Sequence, residues 1–408
     1  MWVDREWLIL GDACKSFTHP DERCADLNAR TRRPTPTMRD LNGSHADSCP
    51  VQWGELPALV AQKNSECPSS LWLDQLAPVL VKHHGGRPWT YFNVGANKGI
   101  EIAAMMQRFD NRTFTSGHWA QELRAYAKRR HLRVYRSCGA ACNTCLELPR
   151  RVLPPVGVRV HAFEMEAVNA AWLRTACERF GITPSVTLVE GVVSNRTGTA
   201  ALSTAWTSHM VGWERGVVQA EHEPAGAPVG MEPVVAPRTD GQRSRPAVKP
   251  AAAAQRAVPM LTLDHYIESR GIAHVHHVAI DAEGFDALVI EGMRGALARG
   301  VVDVVEFEYG SVGHWSPTQP NAADVRTLDG TLELLRRAGY PCFVQGNGGC
   351  LVPVSGPCFR PSLRASYAWS NYVCARGHAR RVLWELARQT APDGPEPCAP
   401  PTRTPDAT

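Results

Sequence analysis

Two carboxylates one residue apart, Asp281-Ala282-Glu283, follow an apolar run from His276 to Ile280 and precede Gly284. A pair so placed can hold a divalent metal, or one member can take the proton of a substrate hydroxyl as general base. Beside a sulfonium, a carboxylate also attracts the positive charge. The same acids can cap the helix that starts at Phe285, and capping is compatible with chemistry. A third acid, Glu164, closes another apolar run, Val156 to Phe163. At a strand end it can accept both hydroxyl hydrogens of a ribose, which suits an adenosine-containing ligand. A solvated strand-end acid is the plain alternative.

A glycine turn stands upstream of these acids. Trp89 to Val94 reads as a buried parallel strand, stopping at Gly95. Gly99 then opens a helical pattern from about Lys98 to Arg108. Strand, glycine turn and helix bring backbone close to a nucleotide-like ligand. Gly95 and Gly99 suit places where a side chain would collide with that ligand or φ must be positive. They are four residues apart, without the third glycine of a dinucleotide fingerprint.

The elements that must position these residues alternate. A helix from about Cys67, with Leu71, Leu73, Leu76 and Leu80 on one face, ends near His84-Gly85-Gly86. Strands are expected at 89–94, 156–163, 185–193, 200–203, 276–280, 301–307, 340–345 and 368–375. Helices are expected over 168–180, from Met260 through Ile267, over 285–298 and over 328–338. Repeated strand-then-helix order predicts an α/β fold, a mostly parallel sheet with helices on both faces. Ligands of such sheets bind beyond the strand carboxyl ends, at Gly95 to Gly99, Glu164, Val192 to Asn195, Asp281 to Gly284 and Glu306 to Tyr309. One domain is expected over 67–388, after a poorly ordered leader at 1–66 and before a Pro-rich tail at 389–408. Insertions are expected at about 110–155 and, as a low-complexity loop, at 216–258.

The 44 basic and 40 acidic residues nearly cancel, and no basic tract is interleaved with aromatics, which argues against a nucleic-acid partner. No run reaches the ~18 apolar residues of a membrane span. The first residues, Met1 to Trp7, carry acids where a signal peptide needs a basic flank, so either the protein is not secreted or its start is missing. The 13 cysteines and the sequons at Asn42, Asn111 and Asn195 point the other way, to an oxidising lumen. Compartment and oligomeric state stay open. Cys138, Cys142 and Cys145 have spacing that could bind zinc, but no fourth ligand has matching spacing, and disulfides or thiols are favoured.

Five stretches in order carry a resemblance. They are Asn93-Val-Gly-Ala-Asn-Lys-Gly99, Phe163-Glu164, Gly191-Val-Val-Ser194 with Gly198-Thr199, Leu261-Thr-Leu-Asp264, and Ile280-Asp-Ala-Glu-Gly-Phe-Asp286 with Ile290-Glu-Gly292. Residues 88 to 310 so marked resemble the FkbM family of S-adenosylmethionine-dependent methyltransferases. The resemblance implies a class I methyltransferase (Rossmann-like) sheet of seven strands. It implies methyl transfer, usually to an oxygen and often on a sugar or glycan. It implies that Gly95, Asn97 and Gly99 line the methionine part of the cofactor, that Asn93 also belongs to the cofactor site, and that Glu164 holds the ribose. Val193 and Ser194 would lie near the adenine, with Asp281 and Glu283 facing the methyl and the acceptor.

Two positions depart from the family pattern. Asn93 stands where Asp is common, and Ala279 where Lys is frequent two positions before the Asp of Asp-x-Glu-Gly. They are the support for one rival reading, a catalytically silent glycan- or nucleotide-binding module. A nicotinamide-dependent oxidoreductase is the other rival, opposed by the missing glycine and the distant acid. A divalent ion is compatible with the paired acids.

Overall fold

The computed structural model describes residues 49, 71–110, 114–132, 151–203, 218–220, 255–310, 313–315, 326–346, 351–360 and 370–391. The expected leader, apart from Cys49, the Cys138/Cys142/Cys145 segment, Asn42, Asn111, most of the 216–258 loop and most of the tail lie outside them.

Strand β1 (Trp89–Val94) is apolar on both sides, as a central parallel strand must be. Trp89 and Tyr91 enter one core and Phe92 and Val94 the other. β1 pairs in parallel with β2 (Val158–Glu164) and β8 (Val275–Ile280). β3 (Val186–Glu190) extends the sheet beyond β2, and β9 (Val302–Tyr309) beyond β8, again in parallel. β12 (Ser370–Ala375) runs antiparallel between β9 and β10 (Cys342–Gln345). The order is β3-β2-β1-β8-β9-β12-β10, with a short β11 (Leu351–Pro353) as an eighth strand outside the expected seven.

Helices cover both faces. α1 (Leu71–His83), α2 (Ile100–Phe109), α3 (Ser116–Arg129), α4 (Ala167–Arg179) and α9 (Gly377–Gln389) pack into one core. α5 (Leu263–Ser269), α6 (Asp286–Glu291), α7 (Arg294–Arg299) and α8 (Leu328–Arg337) pack into the other. α3 lies inside the expected insertion, yet its Trp119 is fully buried, so this helix is part of the core. Trp119 and Trp172 both donate their indole N–H to the Lys98 carbonyl, at 2.7 and 2.9 Å, which pins the start of α2 from two helices.

Some boundaries differ from the sequence expectation. The strand expected at 185–193 is interrupted at Gly191, and β4 (Val192–Val193) leaves the large sheet for a second one. A Cβ on Gly191 would lie 2.6 Å from the Pro259 carbonyl, so the chain can cross there only without a side chain. The second sheet has the order β4-β7-β5-β6, with β5 (Gly198–Ser203), β6 (Val218–Ala220) and β7 (Gln255–Leu261). β6 and most of β7 therefore occupy the ends of the expected low-complexity loop. The helix expected over 285–298 breaks at Gly292 and Met293, because Gly292 is pressed against the Ser194 carbonyl: a Cβ would lie 2.0 Å from that oxygen. α9 was not expected at all.

Among the described residues two disulfides tie distant chain segments, Cys49–Cys358 and Cys342–Cys374, the latter joining β10 to β12. Cys177 is buried and free. No helix among the described residues is long and apolar enough to cross a membrane.

Candidate active site

The sheet order reverses between β1 and β8, the place where a doubly wound sheet opens a crevice at its carboxyl ends. The loops after these strands are in direct contact there. Gly95 has φ +80, and a Cβ on it would lie 1.9 Å from the Asp281 carbonyl oxygen. The reason for glycine at 95 is thus the close approach of the two loops. Gly99, with φ +74, faces inward: its Cβ would meet Leu173 at 2.5 Å and Trp119 at 2.8 Å. Asn93 is buried and donates to the Tyr91 hydroxyl at 3.0 Å.

Only three described non-glycine residues have positive φ, and two of them, Asn97 (φ 46) and Glu283 (φ 50), lie in these two loops. Such backbone costs on the order of 1–3 kcal/mol and persists where the surroundings over-determine it. For Asn97 the surroundings are visible. Its N–H donates to Glu164 Oε2 at 2.6 Å, and the Glu166 N–H donates to Oε1 at 2.7 Å. Asn169, buried on α4, also hydrogen-bonds the carboxylate and reaches Asn97 Oδ1 at 3.5 Å. Glu164 is buried, and burial pushes its carboxyl up to about 7 against the pull of the two backbone donors. It is held rigidly, as an acceptor for paired donors must be.

The third group surrounds Asp281. Asp281, Glu283 and Glu101 are exposed to solvent, while neighbouring protein displaces part of the water around them. Burial raises Asp281, and a hydrogen bond from Glu308 and the charge of Lys98 oppose the rise. Glu308, on β9, is pushed well above the usual carboxylate range by burial and by Asp281's charge. The two carboxyls are hydrogen-bonded, and Asp281's charge strengthens Glu308's hold on a proton. Glu283 rises to about 7 through burial and Asp281's charge, and Glu101 to about 7 through burial. Lys98, itself buried, is the nearby cation that acts on all three.

Beneath them Asp286 is fully buried and fastens the loop. It accepts the Gly284 and Glu308 amides, both at 3.2 Å, and burial holds its carboxyl well above the ordinary range. The His314 amide donates to the Gly284 carbonyl at 2.9 Å, closing the same loop from outside.

Val193 and Ser194 end the small sheet's first strand. The Ser194 amide donates to the Leu261 carbonyl at 2.9 Å, and Ser194 itself is buried. Val193 belongs to the hydrophobic core with Phe163 and Leu263.

Of the residues expected from sequence, Gly95, Asn97, Glu164, Asp281 and Glu283 are gathered by the loops of β1, β2 and β8. Asn93 and Gly99 brace those loops from within. Lys98, Glu101, Asn169, Asp286 and Glu308 were not singled out for the site. Lys98 and Asp286 stand inside the quoted motifs, and Glu308 belongs to a post-strand segment, so their signal was positional. An open groove of about 650 Å³ between α7 and α8 is lined by helix residues such as Arg294, Leu297, Thr331 and Arg337, and includes none of these loop residues.

Five parallel strands in the order β3-β2-β1-β8-β9, with antiparallel β12 between β9 and β10, define the class I methyltransferase fold. Residues 156–342 match the family model for the methyltransferase FkbM domain, and this stretch is an FkbM methyltransferase domain. β1 and its glycine turn lie before the matched residues. None of the curated proteins compared with the chain matches it. Among solved structures, the chain is similar to the methyltransferase FkbM of Methylobacillus flagellatus KT, with 10% identity, TM-score 0.31, and 78% of this chain and 58% of that chain covered. It thus spans less than two thirds of that protein. It is also similar to the O-methyltransferase TomG of Streptomyces achromogenes, in complex with SAM, with 13% identity, TM-score 0.28 and coverage of 80% and 92%. A SAM-dependent methyltransferase of Geobacter sulfurreducens, in complex with S-adenosyl-L-homocysteine, matches at 10% identity, TM-score 0.28 and coverage of 78% and 97%.

Proposed function

We propose that this chain transfers a methyl group from S-adenosylmethionine to a hydroxyl oxygen of a sugar, glycan or other small acceptor. The observation that carries the reading is Glu164, a buried carboxylate fixed by the Asn97 and Glu166 amides at the carboxyl end of β2. Its remaining lone pairs suit the two hydroxyl donors of a ribose. Gly95 and Asn97 would lie along the methionine portion, and Val193 and Ser194 near the adenine. The residues present fit such a group, because the acidic cluster of Glu101, Asp281 and Glu283 favours a sulfonium cation.

The bound cofactor would supply an activated methyl carbon, and the protein's part is positioning and proton removal. Asp281 or Glu283 would accept the acceptor's hydroxyl proton. A base near 7, such as Glu283, is suited to that task near neutral pH. Lys98 would limit the repulsion among the acids. The same acids are compatible with a divalent ion.

The test is transfer of labelled methyl from S-adenosylmethionine to a panel of mono- and oligosaccharides. The parent is expected to label at least one acceptor, and Asp281→Asn with Glu283→Gln to reduce turnover about 100-fold or more while affinity for S-adenosylhomocysteine, which has no sulfonium charge, changes little. Undiminished turnover in that double variant would remove both acids from the mechanism. Cofactor binding without turnover on any acceptor would favour the silent-module reading, which rests on Asn93 and Ala279.

A further inference from the structure

At the opposite end of the sheet, where β8 and β9 begin, three histidines and an acid converge. His274 immediately precedes β8, His276 is its second residue, Asp303 is the second residue of β9, and His84 follows α1. His84 Nε2 and His274 Nε2 each lie 2.8 Å from the same oxygen, Asp303 Oδ2. His84, His274 and His276 each bring one ring nitrogen within 4.8 Å of the others'. The group is partly open to solvent at His84 and His274, while His276 is only 3% exposed.

We propose that His84, His274 and Asp303 bind one divalent ion of the zinc type. Imidazole nitrogen with a carboxylate oxygen is a donor set that suits zinc or cobalt. With metal–ligand distances of about 2.0–2.2 Å, ligand atoms in a tetrahedron stand roughly 3.4 Å apart. The two contacts at 2.8 Å therefore need to open by roughly 0.6 Å.

His276 has a different part. The Thr90 amide donates to its Nδ1 at 3.0 Å, so the ring proton is on Nε2. That Nε2–H is buried and has no hydrogen-bond partner among the described residues. It is a donor rather than a ligand, and it suits the oxygen of a water completing the ion's coordination. The ion would join the end of α1 to the starts of two central strands, clasping the N-terminal helix to the sheet far from the carboxyl-end loops.

The tag-free full chain, stripped with EDTA and dialysed against Zn²⁺, tests this by metal analysis and melting. The parent is expected to retain about one equivalent and to melt higher with Zn²⁺ than with EDTA, because an ion that binds only the folded state stabilises it. His274→Gln and, separately, Asp303→Asn should lose both effects, while a Cys138→Ser, Cys142→Ser, Cys145→Ser variant should keep them. Co²⁺ in place of zinc should give tetrahedral visible bands without a thiolate charge-transfer band. A folded parent that retains no zinc, or equal zinc in the parent and the two ligand variants, would overturn the proposal, leaving Asp303 as the acceptor of two ordinary histidine hydrogen bonds.

Discussion

Glu164 is where residue chemistry is most decisive. A ribose donates both hydroxyl hydrogens only to an ionised carboxylate, and burial has moved this one up to about 7. A raised folded-state value means that the acid takes a proton as pH falls through that point. Affinity for S-adenosylhomocysteine should therefore be flat above pH 8 and weaken by about tenfold per unit well below pH 7. Glu164→Gln should bind weakly at every pH with no such slope, and calorimetry across pH 5.5 to 8.5 would read both. Asp281 and Glu308 belong to the same scale, since two hydrogen-bonded carboxyls titrate as a pair. The sequence displayed Glu164, Asp281 and Glu283 because each ends an apolar run. It could not display Glu101 or Asn169, which reach the site from helix faces and only through the fold.

At the scale of elements, the loops after β1 and β8 define each other. Gly95→Ala would force a Cβ into the Asp281 carbonyl and hold alanine at φ +80. Destabilisation on the order of 2–4 kcal/mol is expected, with weakened cofactor binding, and chemical denaturation of the variant would measure it. The turn itself was legible as strand, glycine, helix, although the structure attributes Gly99 to packing under Trp119 and Leu173. Long-range contacts hid other boundaries. Gly191 and Gly292 break their elements because of the Pro259 and Ser194 carbonyls, partners distant in sequence. α9 is a different case: Ala379, Leu383, Leu386 and Ala387 have helical spacing and are buried, so its signal was present.

For the whole molecule, the described residues carry two covalent links, one between two strands of the large sheet and one from Cys49 to the turn after β11. Cys342–Cys374 closes a loop with a sequence separation of 32, and Cys49–Cys358 one of 309. Loop-closure arguments give on the order of 3–4 kcal/mol for the shorter. Reductant should therefore lower the melting temperature, and a Cys342→Ser, Cys374→Ser variant should melt lower without reductant and respond less to it. Equal melting with and without reductant would mean that neither link contributes. The cysteine count suggested such bonds, while their pairing required the register of β10 against β12.

The alternating strands and helices made the α/β class readable from sequence, and the reversal of strand order then fixes the crevice at β1 and β8. The proposed function requires that this crevice take S-adenosylmethionine with Glu164 at the ribose. Calorimetric titration of the parent and of Glu164→Ala with S-adenosylhomocysteine at pH 8 tests it most directly. Micromolar binding by the parent and a loss of about 100-fold or more in the variant are expected. A folded parent that does not bind, or a variant that binds equally well, would contradict it.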